Sequence, residues 1–104
     1  GWLTVLNLQD MSEVWHIDAK TGAIASVLYL RNGTRLISAH SGGLLVYWDS
    51  QTGASLQKFA WHSWTVFSLS LYRSQEEFIA LGGDKHLTIG YCKEEMCQKT
   101  AKIR

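Results

Sequence analysis

No apolar run in this chain approaches the ~18 consecutive residues of a membrane-spanning helix, and no basic-then-apolar start marks a signal peptide. Membrane insertion is therefore not expected. Charge of one sign is equally scarce. Ten Lys and Arg against nine Asp and Glu leave a net charge of +1, so there is no electrostatic reason to expect nucleic acid as a partner. Cysteine is limited to Cys92 and Cys97, a close pair near one end. Such a pair is no disulfide framework. With no other signal, a reducing compartment, cytoplasmic or nuclear, is the expectation. Proline is missing altogether, against a usual share of about 5%, and the chain offers no physical account of that. Gly1, not Met, opens straight into a strand-like run, which reads as a piece of a longer chain.

What is present is the composition of a folded domain, 46% apolar. Residues 24–62 organise the rest. They read as four short strands, 25–30, 35–39, 44–48 and 55–60, rich in Val, Ile, Leu, Tyr and Trp. Between them lie Arg31-Asn32-Gly33-Thr34, Ser41-Gly42-Gly43 and the turn at 49–53. Asn32-Gly33 between apolar runs is a strong hairpin signal, because both residues accept the positive φ of a tight turn. Upstream, 2–8 and 12–17 are strand candidates, followed by a turn-forming stretch at 18–22. Downstream come 65–71, 78–81 and 86–91, then a weak strand at 96–100.

The chain repeats. Residues 26–45 fall on 68–87 at a spacing of 42 without a gap. Ser26 meets Ser68, Arg31 meets Arg73, Leu36 meets Phe78, Ile37 meets Ile79 and Leu45 meets Leu87. Trp15-His16 and Trp61-His62 mark equivalent ends. A period of ~40–45 residues with four strands per unit is the signature of propeller blades.

These residues resemble the WD-repeat β-propellers. In that family a blade carries Gly-His before its first strand, Ser in the second, Asp in the following turn and Trp-Asp closing the third. The first full repeat has His16, Ser38 and Trp48-Asp49, with Gly42 in the place of the turn Asp. The second has His62 and Asp84, with Ala80 for the Ser and Gly90-Tyr91 for Trp-Asp. Trp15 and Trp61 replace the Gly before each His. The resemblance implies an all-β fold of four-stranded antiparallel blades, about two and a half blades of a larger propeller. Residues 1–16 would end one blade, 24–62 form a complete one and 66–104 most of a further one. Closed propellers have typically 4–8 blades, so the remaining blades are themselves expected partners. The span from His16 to Ser26 is longer than its counterpart from His62 to Ser68. Residues 18–22 are thus an enlarged loop or an imperfect join.

Each chemical constellation has a plainer rival. His16 and His62 sit at strand ends, where a structural bond to backbone or Asp explains them better than catalysis or metal binding. His62, Asp84 and Ser38 or Ser68 invite a nucleophilic triad, but no nucleophile elbow accompanies them. Cys92, Cys97 and His86 are too loosely spaced for zinc and lack a fourth ligand. Gly82-Gly83-Asp84-Lys85 lacks the rest of a phosphate loop. Asn32-Gly33-Thr34 is a formal glycosylation sequon that a hairpin turn explains equally. No catalytic residue, metal or cofactor is therefore expected.

The expected function is a non-catalytic protein-interaction scaffold. A structural subunit of a large assembly is one alternative. An enzyme or ligand-binding propeller whose site lies in other blades is another. Partner proteins would meet the face formed by the inter-blade loops and the turns after each second strand, where Lys20, Trp64, Lys85 and His86 offer cations and an aromatic anchor. The alternative for Trp64 is that it folds over the adjacent blade. Arg31, Arg35, Gln51 and Glu76 belong to the opposite face. Replacing Trp48 by Ala is expected to harm folding far more than replacing Gly90, unless Gly90 needs a positive φ.

Overall fold

Runs of β-branched and aromatic residues suit a pleated, half-buried surface, and each of the expected runs is a strand. The computed structural model describes residues 2–6, 13–18, 24–93 and 96–103, the first two stretches by their backbone alone. The strands are β1 (Trp2–Leu6), β2 (Glu13–Asp18), β3 (Ile24–Leu30), β4 (Arg35–His40), β5 (Leu45–Asp49), β6 (Ser55–Phe59), β7 (Val66–Leu71), β8 (Glu77–Gly82), β9 (Leu87–Cys92) and β10 (Cys97–Ile103). They form three antiparallel sheets: β1-β2, β3-β4-β5-β6 and β7-β8-β9-β10. The last strand is longer than its weak pattern suggests, so residues 66–103 build a full four-stranded sheet.

The repeat carries through to register. Val27 lies opposite Ser38 in the first four-stranded sheet, and Leu69 lies opposite Ala80 in the second. Both innermost pairs carry the same irregularity, between Ile24 and Ser26 and between Val66 and Ser68. The turns repeat as well. His40 N–H bonds Leu44 O and Gly43 N–H bonds His40 O, and 42 residues on Gly82 N–H bonds His86 O and Lys85 N–H bonds Gly82 O. The left-handed residues of this turn are Gly42 (φ 87°) and Gly43 (φ 96°) in the first sheet, and Lys85 (φ 64°) in the second.

Alternation along the strands gives each sheet two faces. In β8 and β9, Phe78, Ala80, Thr88, Gly90 and Cys92 face one way and are buried. Of these, Phe78, Ala80 and Cys92 pack on Leu30, Ile37, Ala39, Leu45, Tyr47 and Phe59 of the first sheet, and this seam between sheets is the main core. The first sheet turns Leu36, Val46 and Trp48 the other way, into a second cluster with Ile24 and Leu44. The second sheet's outer face, with Ile79, Leu81, Leu87 and Ile89, stays half-covered or exposed.

Two expectations are corrected by this packing. Cys92 and Cys97 are direct partners across β9 and β10 and form a disulfide, buried in the inter-sheet core. Adjacent register positions bring the sulfurs together where sequence spacing alone suggested no framework. Gly90, in turn, has no positive φ, yet a side chain there must displace its neighbours. A Cβ there would lie 2.4 Å from Cε1 of Phe78 and 2.9 Å from Cζ3 of Trp61. Phe78 lies opposite Gly90 across the β8–β9 ladder, and Trp61 stacks on it with ring planes 1° apart. The aromatic pair fills the space that Trp48 fills in the first sheet. The Asn32 turn also differs from a two-residue hairpin: Arg31, Asn32 and Gly33 are all left-handed, at φ 51°, 56° and 88°.

Trp48→Ala should therefore lower stability by about 3–5 kcal/mol, the loss for a buried large aromatic, and Gly90→Ala by about 1–3 kcal/mol through overpacking against Phe78. Urea unfolding of the full-length protein measures both. A wild-type midpoint for Gly90→Ala would refute the packing account.

Candidate functional site

Short reversals between strands place their side chains at one end of the sheets, and three of them meet here. The 62–65 loop joins the two four-stranded sheets and is bonded on both sides. Gly42 N–H donates to Thr65 Oγ1 at 3.3 Å, and Gly83 N–H donates to Thr65 O at 3.0 Å. Gly43 lies so close that a Cβ would be 2.0 Å from His62 O. Its positive φ and this backbone contact both demand glycine. Ser63 N–H donates to Asp84 Oδ2 at 3.1 Å.

Asp84 is the electrostatic centre of this end. Its Oδ1 accepts from His62 Nδ1 at 3.0 Å and from His86 N–H at 3.1 Å. Because a carboxylate only accepts, His62 holds a proton on Nδ1, and its Nε2 is bonded to Thr88 Oγ1 at 2.9 Å. Burial opposes ionisation of Asp84, but the bonds from His62, Ser63 N–H and His86 N–H together outweigh it and hold the carboxyl well below its ordinary value of 3.8. His86 Nδ1 lies 3.6 Å from Asp84 Oδ2, beyond hydrogen-bond length.

The first sheet builds the matching network from different residues. Trp48 Nε1–H donates to Ser38 Oγ at 2.7 Å, and Ser38 Oγ bonds His40 Nε2 at 2.6 Å. Ser38 and His40 are two apart on β4 and share a face. At the position equivalent to His40 the second sheet has Gly82, whose Cβ would lie 2.6 Å from His62 Nδ1. The imidazole comes from the strand in one sheet and from the connecting loop in the other. Thr88, opposite Ala80, supplies the hydroxyl that Ala80 lacks. His40 and Thr88 were not singled out from sequence. The available signals were the i, i+2 spacing of Ser38 and His40 and the exchange of Ser for Ala at the repeat position. His16 falls in β2, opposite Thr4.

Thr88, His62 and Asp84 have the bonding order of a nucleophilic triad. Thr88 is fully buried and His62 nearly so, with the hydroxyl bonded to the imidazole, so no substrate reaches it. Asp49 has another role: its Oδ1 accepts from Gln51 N–H at 2.9 Å and closes the β5–β6 turn.

Of the expected contact residues, Trp64 and Lys85 are exposed. Trp64 is 66% accessible, the most exposed large hydrophobic residue described. His86 is half-buried beside Asp84. Lys20 lies outside the described residues. At the opposite end, Arg31 N–H donates to Gln75 O at 2.7 Å and Arg31 pairs with Glu76 at 3.6 Å. Arg35 pairs with Asp49 at 3.8 Å. Only Gln51 of the four residues assigned to that end is a free surface position.

No family model and no curated protein matches this sequence. Among solved structures, the β-propeller domain of Cps50 (Swd1) from Myceliophteria thermophila is similar, with a TM-score of 0.74 and 20% sequence identity. The match covers 95% of this chain and 32% of that one, so the chain spans about a third of its structural relative. The fold is that of about two β-propeller blades, as the repeat and the WD-repeat resemblance lead one to expect. Among the described residues no helix is long and apolar enough to cross a membrane.

The sign of the Asp84 contribution follows from its lowered pKa. Stability from the ionised carboxylate is complete above the ordinary value and is lost as pH falls towards the folded-state value. Melting temperature should drop between about pH 5 and about pH 2, and Asp84→Asn should flatten part of that drop while lowering stability at neutral pH. Thr88→Val leaves His62 Nε2 unsatisfied and should cost about 1–3 kcal/mol. Parallel pH-melting curves for wild type and Asp84→Asn would contradict the assignment.

Proposed function

We propose that the chain is part of a non-catalytic propeller that holds protein partners, and that partners meet the end built by the 40–44, 62–65 and 82–86 segments. The observation that carries this reading is Trp64, a large aromatic left 66% accessible on a loop that is bonded to one neighbouring turn through the Thr65 side chain and to the other through its backbone. A fixed loop presents the ring with little ordering left to occur on binding, which is where affinity is otherwise lost. Lys85 adds an exposed cation on the adjoining turn, and Lys20, outside the described residues, is assigned to the same face from the sequence repeat alone. His86 supports the turn through Asp84. The network residues Ser38, Trp48, His62 and Asp84 are buried or half-buried, and their part is to shape these turns.

The remaining blades of the same propeller are the partners of the sheet faces, and the half-covered outer face of the second sheet supports this. Residues 1–16, 24–62 and 66–104 serve as the end of one blade, a complete blade and a further blade. Nucleic acid has no evident footprint. A cytoplasmic or nuclear location belongs to the same proposal.

In the full-length protein, Trp64→Ala should weaken capture of its native partners by about 2 kcal/mol or more, roughly thirtyfold in Kd, with the melting temperature unchanged. Gln51→Ala should leave both unchanged. Arg31 and Glu76 are unsuitable controls because they link the two blades. Binding lost in Gln51→Ala but kept in Trp64→Ala would overturn the assignment of the face.

A further inference from the structure

β10 is the outermost strand of its sheet and pairs only with β9. Its side chains give it little hold. Cys97 is buried and Ala101 half-buried, while Gln98, Lys99, Thr100, Lys102 and Ile103 are exposed. Thr100 Oγ1 donates to Ile89 O at 3.1 Å. The disulfide to Cys92 is thus the one deeply buried side-chain anchor of the strand. It closes a ring across a sequence separation of only 5, and so short a ring restrains the hairpin far more than the whole unfolded chain.

The same hairpin is where the two blades are tied together at their rim. Gln57, on β6, uses its amide twice: Cys97 N–H donates to Oε1 at 2.6 Å, and Nε2–H donates to Cys97 O at 3.3 Å. Tyr47, beside Gln57 in the β5–β6 ladder, donates from its hydroxyl to Lys93 O at 2.8 Å. Both contacts require the hairpin ends at Lys93 and Cys97 to be held in place. Lys93 and Met96, flanking the disulfide, are exposed, so local opening of this edge hairpin is the route by which an attacking thiol reaches the sulfurs.

We propose that Cys92 and Cys97 are a reversible thiol–disulfide modification site that locks or frees the rim strand β10 and its tie to the preceding blade. The exchange partner is a dithiol or glutathione-class thiol. In the releasing direction a thiolate attacks one sulfur of the pair, the Cys92–Cys97 bond breaks, and a mixed disulfide forms. A second thiolate of the partner resolves it, leaving two protein thiols and the partner's disulfide, with two electrons transferred to the protein. The reverse passes the same two electrons back and closes the bond. The proposal does not depend on which partner the propeller holds.

The test uses the full-length protein equilibrated with oxidised or reduced glutathione, or with dithiothreitol. Acid quenching and alkylation followed by mass spectrometry counts the free thiols, and amide hydrogen exchange reads strand stability. The expected result is a blocked pair in the oxidised buffer and two alkylated thiols in the reduced one, interconverting on exchange of buffers. Amides of 97–103 should exchange at least about tenfold faster in the reduced state, while those of 77–82 change little. Cys92→Ser combined with Cys97→Ser should match the reduced protein and ignore the buffer. Should that variant fail to fold, the reduced wild type still decides. Thiols that stay free in the oxidised buffer, a bond that survives dithiothreitol in the folded protein, equal exchange of 97–103 in both states, or a loss of protection that includes 77–82 would each overturn the proposal.

Discussion

A four-stranded sheet with apolar side chains on both faces is stable only if each face is covered, and the seam between the two blades is where this chain meets that requirement. Leu30, Ile37, Leu45 and Tyr47 from one sheet and Val66, Phe78, Ala80 and Cys92 from the other form a single buried cluster. Burial on this scale is the main favourable term in folding. The turns at either end can then be short and bonded to one another. The side chains that shape those turns need not contribute much apolar surface of their own.

The seam explains why the two repeats tolerate different residues at equivalent positions. A bulky indole at 48 and none at 90 would leave a hole in the second sheet. Trp61 and Phe78 occupy it instead, at a centroid separation of 5.8 Å. The imidazole is treated in the same way. His40 on its strand serves the first blade, whereas His62 reaches in from the connecting loop and requires Gly82 beneath it. Close packing constrains the volume and the hydrogen bonds at a place in space. It does not constrain which position of the chain supplies them.

Polar satisfaction does the remaining work at the two ends. At one end Asp84 gathers a side chain and two backbone N–H groups, and bonds to the Thr65 hydroxyl and carbonyl hold the 62–65 loop from both sides. At the other, Arg31, Gln75 and Glu76 link the turns of successive blades. The two ends therefore differ in what they leave outside. One exposes an aromatic on a fixed loop, and the other has its charged residues engaged in ion pairs, one of which, Arg31 with Glu76, links the blades.

Strand positions, the four-strand period and the antiparallel blade were legible in the sequence, because hydrophobic alternation and turn residues are local properties. Ser38, Trp48, His62 and Asp84 were legible as a motif for the same reason. The roles of His40 and Thr88 were not, since they depend on which face of which strand stands opposite a neighbour. Nor was the need for Gly90, whose constraint is a ring from another strand rather than its own φ. The disulfide was hidden as well: a spacing of 5 in sequence says nothing about register, and only the pairing of β9 with β10 sets Cys92 against Cys97. The sequence by itself determined the local conformations and the repeat. The tertiary structure decided which distant side chains share a volume or a proton, because those are properties of the packed seam and not of any one strand.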